Sequence, residues 1–244
     1  VVTDRPVLID WFCGAGGAAT GYAEAGFDVY GVDNEPHPAY PFPILVTDAL
    51  TAFRELLDGH ALPFTRRDGT VRLIRLADVA AMHGSPPCKL FTDLAKQQQQ
   101  RGAVYEDLLT PFRALVREWG GPYVIENVES APLLEPLTLC GSEFGLGAHC
   151  RDGRWRFLKR HRLFESNVLL LGAGGCQHRG QALGVYGDGG GGQQTRGYKG
   201  FADESRAAMG IDWMNRDDLS QSIPPAFSRH VGEQVLSSLE ERAA

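Results

Sequence analysis

The chain contains no apolar run approaching about eighteen residues, so no segment reads as a transmembrane helix, and its first residues lack the pattern of a secretory signal. It has no internal repeat, which excludes a solenoid, and no composition shift marking an interdomain linker. Cysteine is scarce: five among 244 residues, odd in number and irregularly spaced. That excludes a disulfide framework and fits a reduced, cytoplasmic interior. A basic excess is also missing. Lys and Arg total 24 against 30 Asp and Glu, a net charge of −6, which argues against a nucleic-acid coat protein but leaves room for local basic patches. What is present is ordinary for a globular chain, 43% hydrophobic and 22% charged. That suffices for the core of one α/β domain without a disulfide or metal. Glycine, at 30 residues, is the composition's one excess.

The first 130 or so residues alternate strand and helix. Val7-Leu8-Ile9 ends in Asp10, a glycine cluster follows, and residues 18–25 read as a helix of small residues closed by Gly26. A second strand runs from Phe27 to Val32 and ends in Asp33. This βαβ unit opens a doubly wound, mostly parallel, Rossmann-like sheet. Ile44 to Val46 is a short strand, Ala49 to Leu57 a helix, and Asp68-Gly69 the turn of a hairpin within 63–76. Val79 to His83 forms a strand leading into Ser85-Pro86-Pro87-Cys88, and residues 89–103 read as a mobile loop. A helix from Tyr105 to Trp119 and a strand from Pro122 to Ile125 follow, ending at Glu126. Residues 172–200 hold 12 glycines, too many for packed secondary structure, so a mobile loop is expected there. Phe227, Val231, Val235 and Leu239 recur every fourth residue, the stripe of a C-terminal helix.

Gly14-Ala15-Gly16-Gly17-Ala18-Ala19 fits the loose pattern G-x-G-x-x-A between strand and helix. Such glycines admit close approach of a ligand to the backbone, and the helix N-terminus offers free N–H groups. Asp33 is placed to accept from ribose hydroxyls. The motif fits NAD, FAD and S-adenosylmethionine alike. Cys88, fixed by two prolines, falls at the C-terminal end of a strand, where such sheets bind ligands. A bare cysteine is more often a buried small hydrophobe, but Glu126 ends a neighbouring strand at the same rim. A thiol and a protonatable carboxyl beside a cofactor loop form a constellation for covalent catalysis.

The ordered series Asp10-Trp11-Phe12-Cys13-Gly14-Ala15-Gly16-Gly17, Ser85-Pro86-Pro87-Cys88, Glu126-Asn127-Val128 and Arg160-His161-Arg162 resembles the cytosine-C5 DNA methyltransferases. Ser222-Ile223-Pro224-Pro225 resembles that family's late motif. The resemblance implies a class I methyltransferase fold using S-adenosylmethionine, with a compact bacterial or phage type of architecture. It implies Cys88 as the nucleophile at carbon 6 of cytosine, Glu126 as the acid contacting N3, Arg162 as the contact to O2, and Arg160 in support. It assigns cofactor contacts to Asp10, Phe12, Cys13, Gly14, Ala15, Gly17, Asp33, Asn34, Asp48, Ala49, Pro87, Leu108, Ser222 and Ile223. The partner implied is duplex DNA with the target base flipped out. A transfer RNA is the alternative substrate within the family, and a non-catalytic DNA-binding relative is a rival of another class. A nicotinamide oxidoreductase would explain the glycine loop alone.

The chain departs from the family at Lys89, where glutamine is usual, and at Ser220-Gln221, where Gly-Asn is usual. Little remains for a target-recognition domain. The expected division is a catalytic core over 1–164, a reduced glycine-rich recognition region over 165–205, and a return to the core over 206–244, working as a monomer with short or relaxed specificity. Arg151, Arg154, Arg156, Lys159, Arg160 and Arg162 cluster around Trp155 and Phe157, which predicts phosphate contact. Cys140, Cys150, Cys176 and His178 lack a C-x-x-C pair, so no metal is expected.

Overall fold

The computed structural model describes residues 5–87, 105–187, 191–194 and 197–243. Its frame is a parallel core of five strands. β1 (Val7–Trp11) lies in the middle, β2 (Asp28–Asp33) and β3 (Ile44–Val46) to one side, β6 (Val79–Gly84) and β7 (Tyr123–Asn127) to the other. The hairpin β4 (Leu62–Thr65) and β5 (Val71–Ile74) extends one edge antiparallel, about the expected Asp68-Gly69 turn. β11 (His161–Ser166) and β8 (Leu137–Cys140) extend the other, also antiparallel. Among the described residues these make a nine-stranded sheet in the order β5-β4-β3-β2-β1-β6-β7-β11-β8. β1, β2 and β7 are wholly or almost wholly buried, as strands covered on both faces must be, which is why they read as unbroken apolar runs.

One face is covered by α2 (Ala49–Leu57) and α3 (Leu109–Trp119), around Trp11, Phe53, Phe112 and Ile125. The Trp11 and Phe53 rings stack at 4.7 Å. The other face carries α1 (Gly17–Ala25) and the C-terminal α6 (Pro225–Ala243), around Tyr22, Phe27, Phe164, Phe227 and Val231. The expected stripe of α6 points inward: Phe227, Val231 and Val235 are buried. α3 begins at Leu109 rather than Tyr105, because the Asp107 carboxylate accepts from the N–H groups of Leu109 and Thr110 at 3.0 and 3.1 Å and caps the helix there.

A third apolar cluster lies beyond the sheet's edge. It joins the hairpin β9 (Gly147–His149) and β10 (Trp155–Phe157), the small sheet β12 (Leu183–Gly184), β13 (Gly192–Gln194) and β14 (Gly197–Lys199), and the helices α4 (Ala202–Met209) and α5 (Arg216–Gln221). Packed structure within 172–200 corrects the expectation of none. The glycines alternate with Leu183, Val185 and Tyr198, which are buried against Met209 and Met214. No described helix is long and apolar enough to cross a membrane.

Candidate active site

Four parallel strands deliver their C-terminal ends to one rim, on both sides of β1, where the winding of the sheet reverses and such folds bind ligands. β1 runs into the Phe12–Gly17 loop, β2 ends in Asp33, β6 leads to Ser85-Pro86-Pro87, and β7 ends in Glu126-Asn127. The loop is wound by positive φ at Phe12 (58°), Gly14 (50°) and Gly16 (91°). Gly14 faces open space, so its backbone is accessible. Gly17 serves a different purpose. A side chain there would strike the Ser222 hydroxyl and the Ile223 carbonyl, so its absence lets the late motif pack against the start of α1.

Asp33 accepts from the Gly14 N–H at 2.8 Å and the Glu35 N–H at 3.1 Å, and its other neighbour is His37 Nε2 at 3.4 Å. Burial works against its charge, yet His37 and the two N–H donors together hold its carboxyl below the usual range. The result is an ionised acceptor beside an accessible glycine backbone and the half-buried Phe12 ring, which meets Phe112 edge-on at 5.4 Å. These residues fit a nucleoside cofactor. Asn34 is exposed next to Asp33, and Ala15 is buried with its carbonyl accepting from Trp213 Nε1 at 3.0 Å. Cys13 is buried, and burial pushes its thiol up. Asp48 caps α2 by accepting from the Thr51 N–H at 2.8 Å, with Ala49 buried as the first helical residue. Leu108 is half-buried ahead of α3, and Pro87 is exposed at the rim.

Asp10 sits beneath the loop with 1% exposure, and neither carboxylate oxygen has a hydrogen-bond partner among the described residues. Burial, with the nearby Asp33 and Glu126, raises its pKa well above the ordinary value. Beside it, Tyr22 Oη, His83 and Ser85 Oγ form a chain with both links 2.9 Å long. Burial lowers His83 to about 3, so the ring is neutral. It is a bridge in this chain rather than a cation.

Glu126 is buried at 5% exposure and its Oε1 lies 2.9 Å from Arg162 Nε. Burial raises its pKa, against the opposing pull of Arg162 and a bond from Ser85. Arg162 Nη1 also donates to the His161 carbonyl at 2.8 Å. Asn127 Nδ2 donates to the Pro86 carbonyl at 2.8 Å, tying the proline turn to the end of β7. Cys88 and Lys89 lie outside the described residues, as do the other residues of 88–104. The chain resumes its described path only after them, but Pro87, the residue before Cys88, is placed at this rim.

The basic run divides. Arg160 is buried and donates to the carbonyls of Val185 at 3.1 Å and Ser220 at 2.8 Å, bracing the third cluster against the late motif. Arg156, 2% exposed, pairs with Asp152 at 2.7 Å and covers the Tyr198 ring at 3.9 Å. Arg151 pairs with Asp203 at 3.0 Å. Arg154 and Lys159 remain exposed. The expected stripe of six phosphate-facing cations is therefore corrected: four of the six, Arg151, Arg156, Arg160 and Arg162, have partners within the chain. His37 and Trp213 were not singled out from the sequence, and Asn127 was read only as a member of the Glu126-Asn127-Val128 motif, with no role of its own. His37, four residues past Asp33, carried a local hint; Trp213 carried none.

No family model matches the chain. The type II methyltransferase M.HgiDI of Herpetosiphon aurantiacus is 29% identical over 126 residues, 51% of this chain and 38% of that protein. The type II methyltransferase M.HgiGI of the same organism is 28% identical over 128 residues, 51% of this chain and 92% of that protein. The chain thus spans little more than a third of the first relative and nearly all of the second. The crystal structure of the S. pombe Dnmt2 methyltransferase is 11% identical and covers 98% of this chain and 99% of its own, with a TM-score of 0.52. That likeness is one of fold and matches the Rossmann-like α/β sheet described above.

Proposed function

We propose that this chain is a cytosine-C5 DNA methyltransferase, which methylates carbon 5 of cytosine in DNA using S-adenosylmethionine. The observation that carries this reading is the rim itself: the Asn127–Pro86 bond ties the turn leading to Cys88 to the end of β7, where the buried Glu126, its pKa raised by burial, pairs with Arg162.

The residue types suit the chemistry. Carbon 5 of cytosine is a poor nucleophile. Addition of the Cys88 thiolate to carbon 6 moves the ring electrons toward N3 and makes carbon 5 nucleophilic. Glu126, in its acid form, donates to N3 and stabilises that charge, while Arg162 orients Glu126 and the base oxygen. Bound S-adenosylmethionine supplies an electrophilic methyl group. Phe12, Gly14 and Asp33 would hold it, the Asp33 carboxylate serving as acceptor for the ribose hydroxyls. Loss of the carbon-5 proton to a base then releases the Cys88 thiolate by elimination. A stacked base exposes neither face to this attack, so the target cytosine leaves the helix. Arg154 and Lys159 are the exposed cations available for phosphate contact, and recognition by the small third cluster supports a short target site.

Incubation with methyl-labelled cofactor and duplex DNA, followed by nucleoside mass spectrometry, tests the reading. The expected product is 5-methylcytosine, absent with Cys88→Ser. Methylated adenine, N4-methylcytosine, or label entering only transfer RNA would overturn it.

A further inference from the structure

Beside the rim, at the β11–β8 edge of the sheet, four ligand-type side chains converge. Cys140 at the end of β8, His161 at the start of β11, and Cys176 and His178 in the segment after β11 place one donor atom each within 4.8 Å of all the others. Cys140 Sγ lies 3.2 Å from His178 Nε2, and His161 Nε2 lies 3.3 Å from Cys176 Sγ. A tetrahedral ion with metal–sulfur bonds of about 2.3 Å and metal–nitrogen bonds of about 2.0–2.1 Å sets its S and N donors roughly 3.5 Å apart. The pairs seen here need only a few tenths of an ångström of adjustment. Cys150, grouped with these cysteines by type alone, lies elsewhere, in the third apolar cluster; His161 takes its place.

We propose that Cys140, His161, Cys176 and His178 bind a structural zinc ion. Two thiolates and two imidazoles in tetrahedral array are a donor set suited to zinc, and four protein ligands close the site to catalysis. The surroundings are built for ligation. His161 Nδ1 lies 3.0 Å from Glu129 Oε1, the carboxylate–histidine arrangement that aims the other ring nitrogen at a metal. Ser142 Oγ donates to Cys140 Sγ at 3.3 Å and accepts from the Gln177 N–H at 3.0 Å, tying the Cys176–His178 segment to β8. The His178 ring stacks on Phe157 at 5.5 Å, nearly parallel. His161 and Cys140 face each other in the β11–β8 ladder, so two ligands are fixed by the sheet and two by the segment beyond it. The ion joins these parts. Because His161 separates Arg160 from Arg162, it also fixes the strand end from which Arg162 reaches Glu126.

The test uses the untagged full chain, purified from zinc-supplemented cells and measured by elemental analysis, then reloaded with cobalt. About one zinc per chain, and a cobalt spectrum with thiolate charge-transfer and tetrahedral bands, are expected. Cys176 is exposed, so Cys176→Ser should fold while losing zinc and the thiolate bands. Glu129→Gln should weaken zinc binding about 10- to 100-fold, and Cys150→Ser should retain it. Less than about a tenth of an equivalent of zinc with no cobalt bands, zinc retained unchanged by Cys176→Ser, or a Cys140–Cys176 disulfide found in the freshly purified chain would overturn the proposal.

Discussion

Asn127 Nδ2 donates to the Pro86 carbonyl across 2.8 Å, joining the end of one central strand to the turn that follows its neighbour. The same side chain accepts from the Val128 N–H at 2.9 Å, so both ends of the amide are used. This single bond sets the turn before Cys88 against the carboxyl of Glu126, the residue preceding Asn127.

Asn127→Ala leaves the Pro86 carbonyl without its partner in a buried setting. The expected loss of stability is about 1–3 kcal/mol, read by thermal or urea unfolding. The turnover number should fall far more than the cofactor dissociation constant rises, because Asp33 and Gly14 are untouched. Equal effects on both would disprove a role specific to the turn.

Glu126 keeps its proton above the ordinary glutamate range because it is buried. Activity that needs the acid form declines as pH rises through that raised value. Arg162 opposes the shift, so Arg162→Gln should move the descending limb to higher pH. Glu126→Gln should remove the limb and reduce turnover by roughly 10²- to 10⁴-fold. Rate profiles of the three proteins decide the matter; an unmoved limb in Arg162→Gln argues against this acid.

Asp10 offers a stability test. Its folded-state pKa lies above the unfolded value, so the folded chain retains a proton that the unfolded chain releases above about pH 3.9. The stabilisation is complete below that pH and disappears as pH rises through the raised folded value. Asp10→Asn removes this slope. Its melting temperature should therefore gain on the parent's with increasing pH, and parallel melting curves would contradict the assignment.

Gly17→Ala drives a methyl into Ser222 and Ile223. We expect a destabilisation of about 1–3 kcal/mol from overpacking, together with weaker binding of S-adenosylhomocysteine in calorimetry. Unchanged melting and affinity would mean that the late motif is not tightly seated on α1.

The two kinds of arginine and lysine in the 151–162 segment should separate by salt dependence. Lys159→Gln should lower the slope of log affinity for DNA against log salt by about one without changing melting. Arg160→Gln should leave the slope alone but lower stability, because the carbonyls of Val185 and Ser220 lose their donor. A reversed pattern would show that Arg160 faces phosphate.

Much of the parallel core was legible because its signals are local. The strand ends read at Asp10, Asp33, His83 and Glu126 fall within a residue of those observed at Trp11, Asp33, Gly84 and Asn127, and the helix over 49–57 and the stripe of α6 follow from apolar runs and four-residue periodicity. Charge was harder to read. Arg160 looks like a surface cation in the chain, yet its partners, Val185 and Ser220, lie 25 and 60 residues away. The glycine-rich stretch misled for a related reason, since its few apolar residues find their cover only on the distant α4 and α5.

The sequence by itself determined the alternation of strand and helix, the glycine loop after β1, and the identity and order of the residues at the rim, because backbone propensity and periodicity act over a few neighbours. Only the tertiary structure decided which side chains meet. It brought Asn127 to Pro86, Arg162 to Glu126, and His161 opposite Cys140. Strand pairing between distant segments has no local signature; its register depends on how the two faces of the sheet are buried.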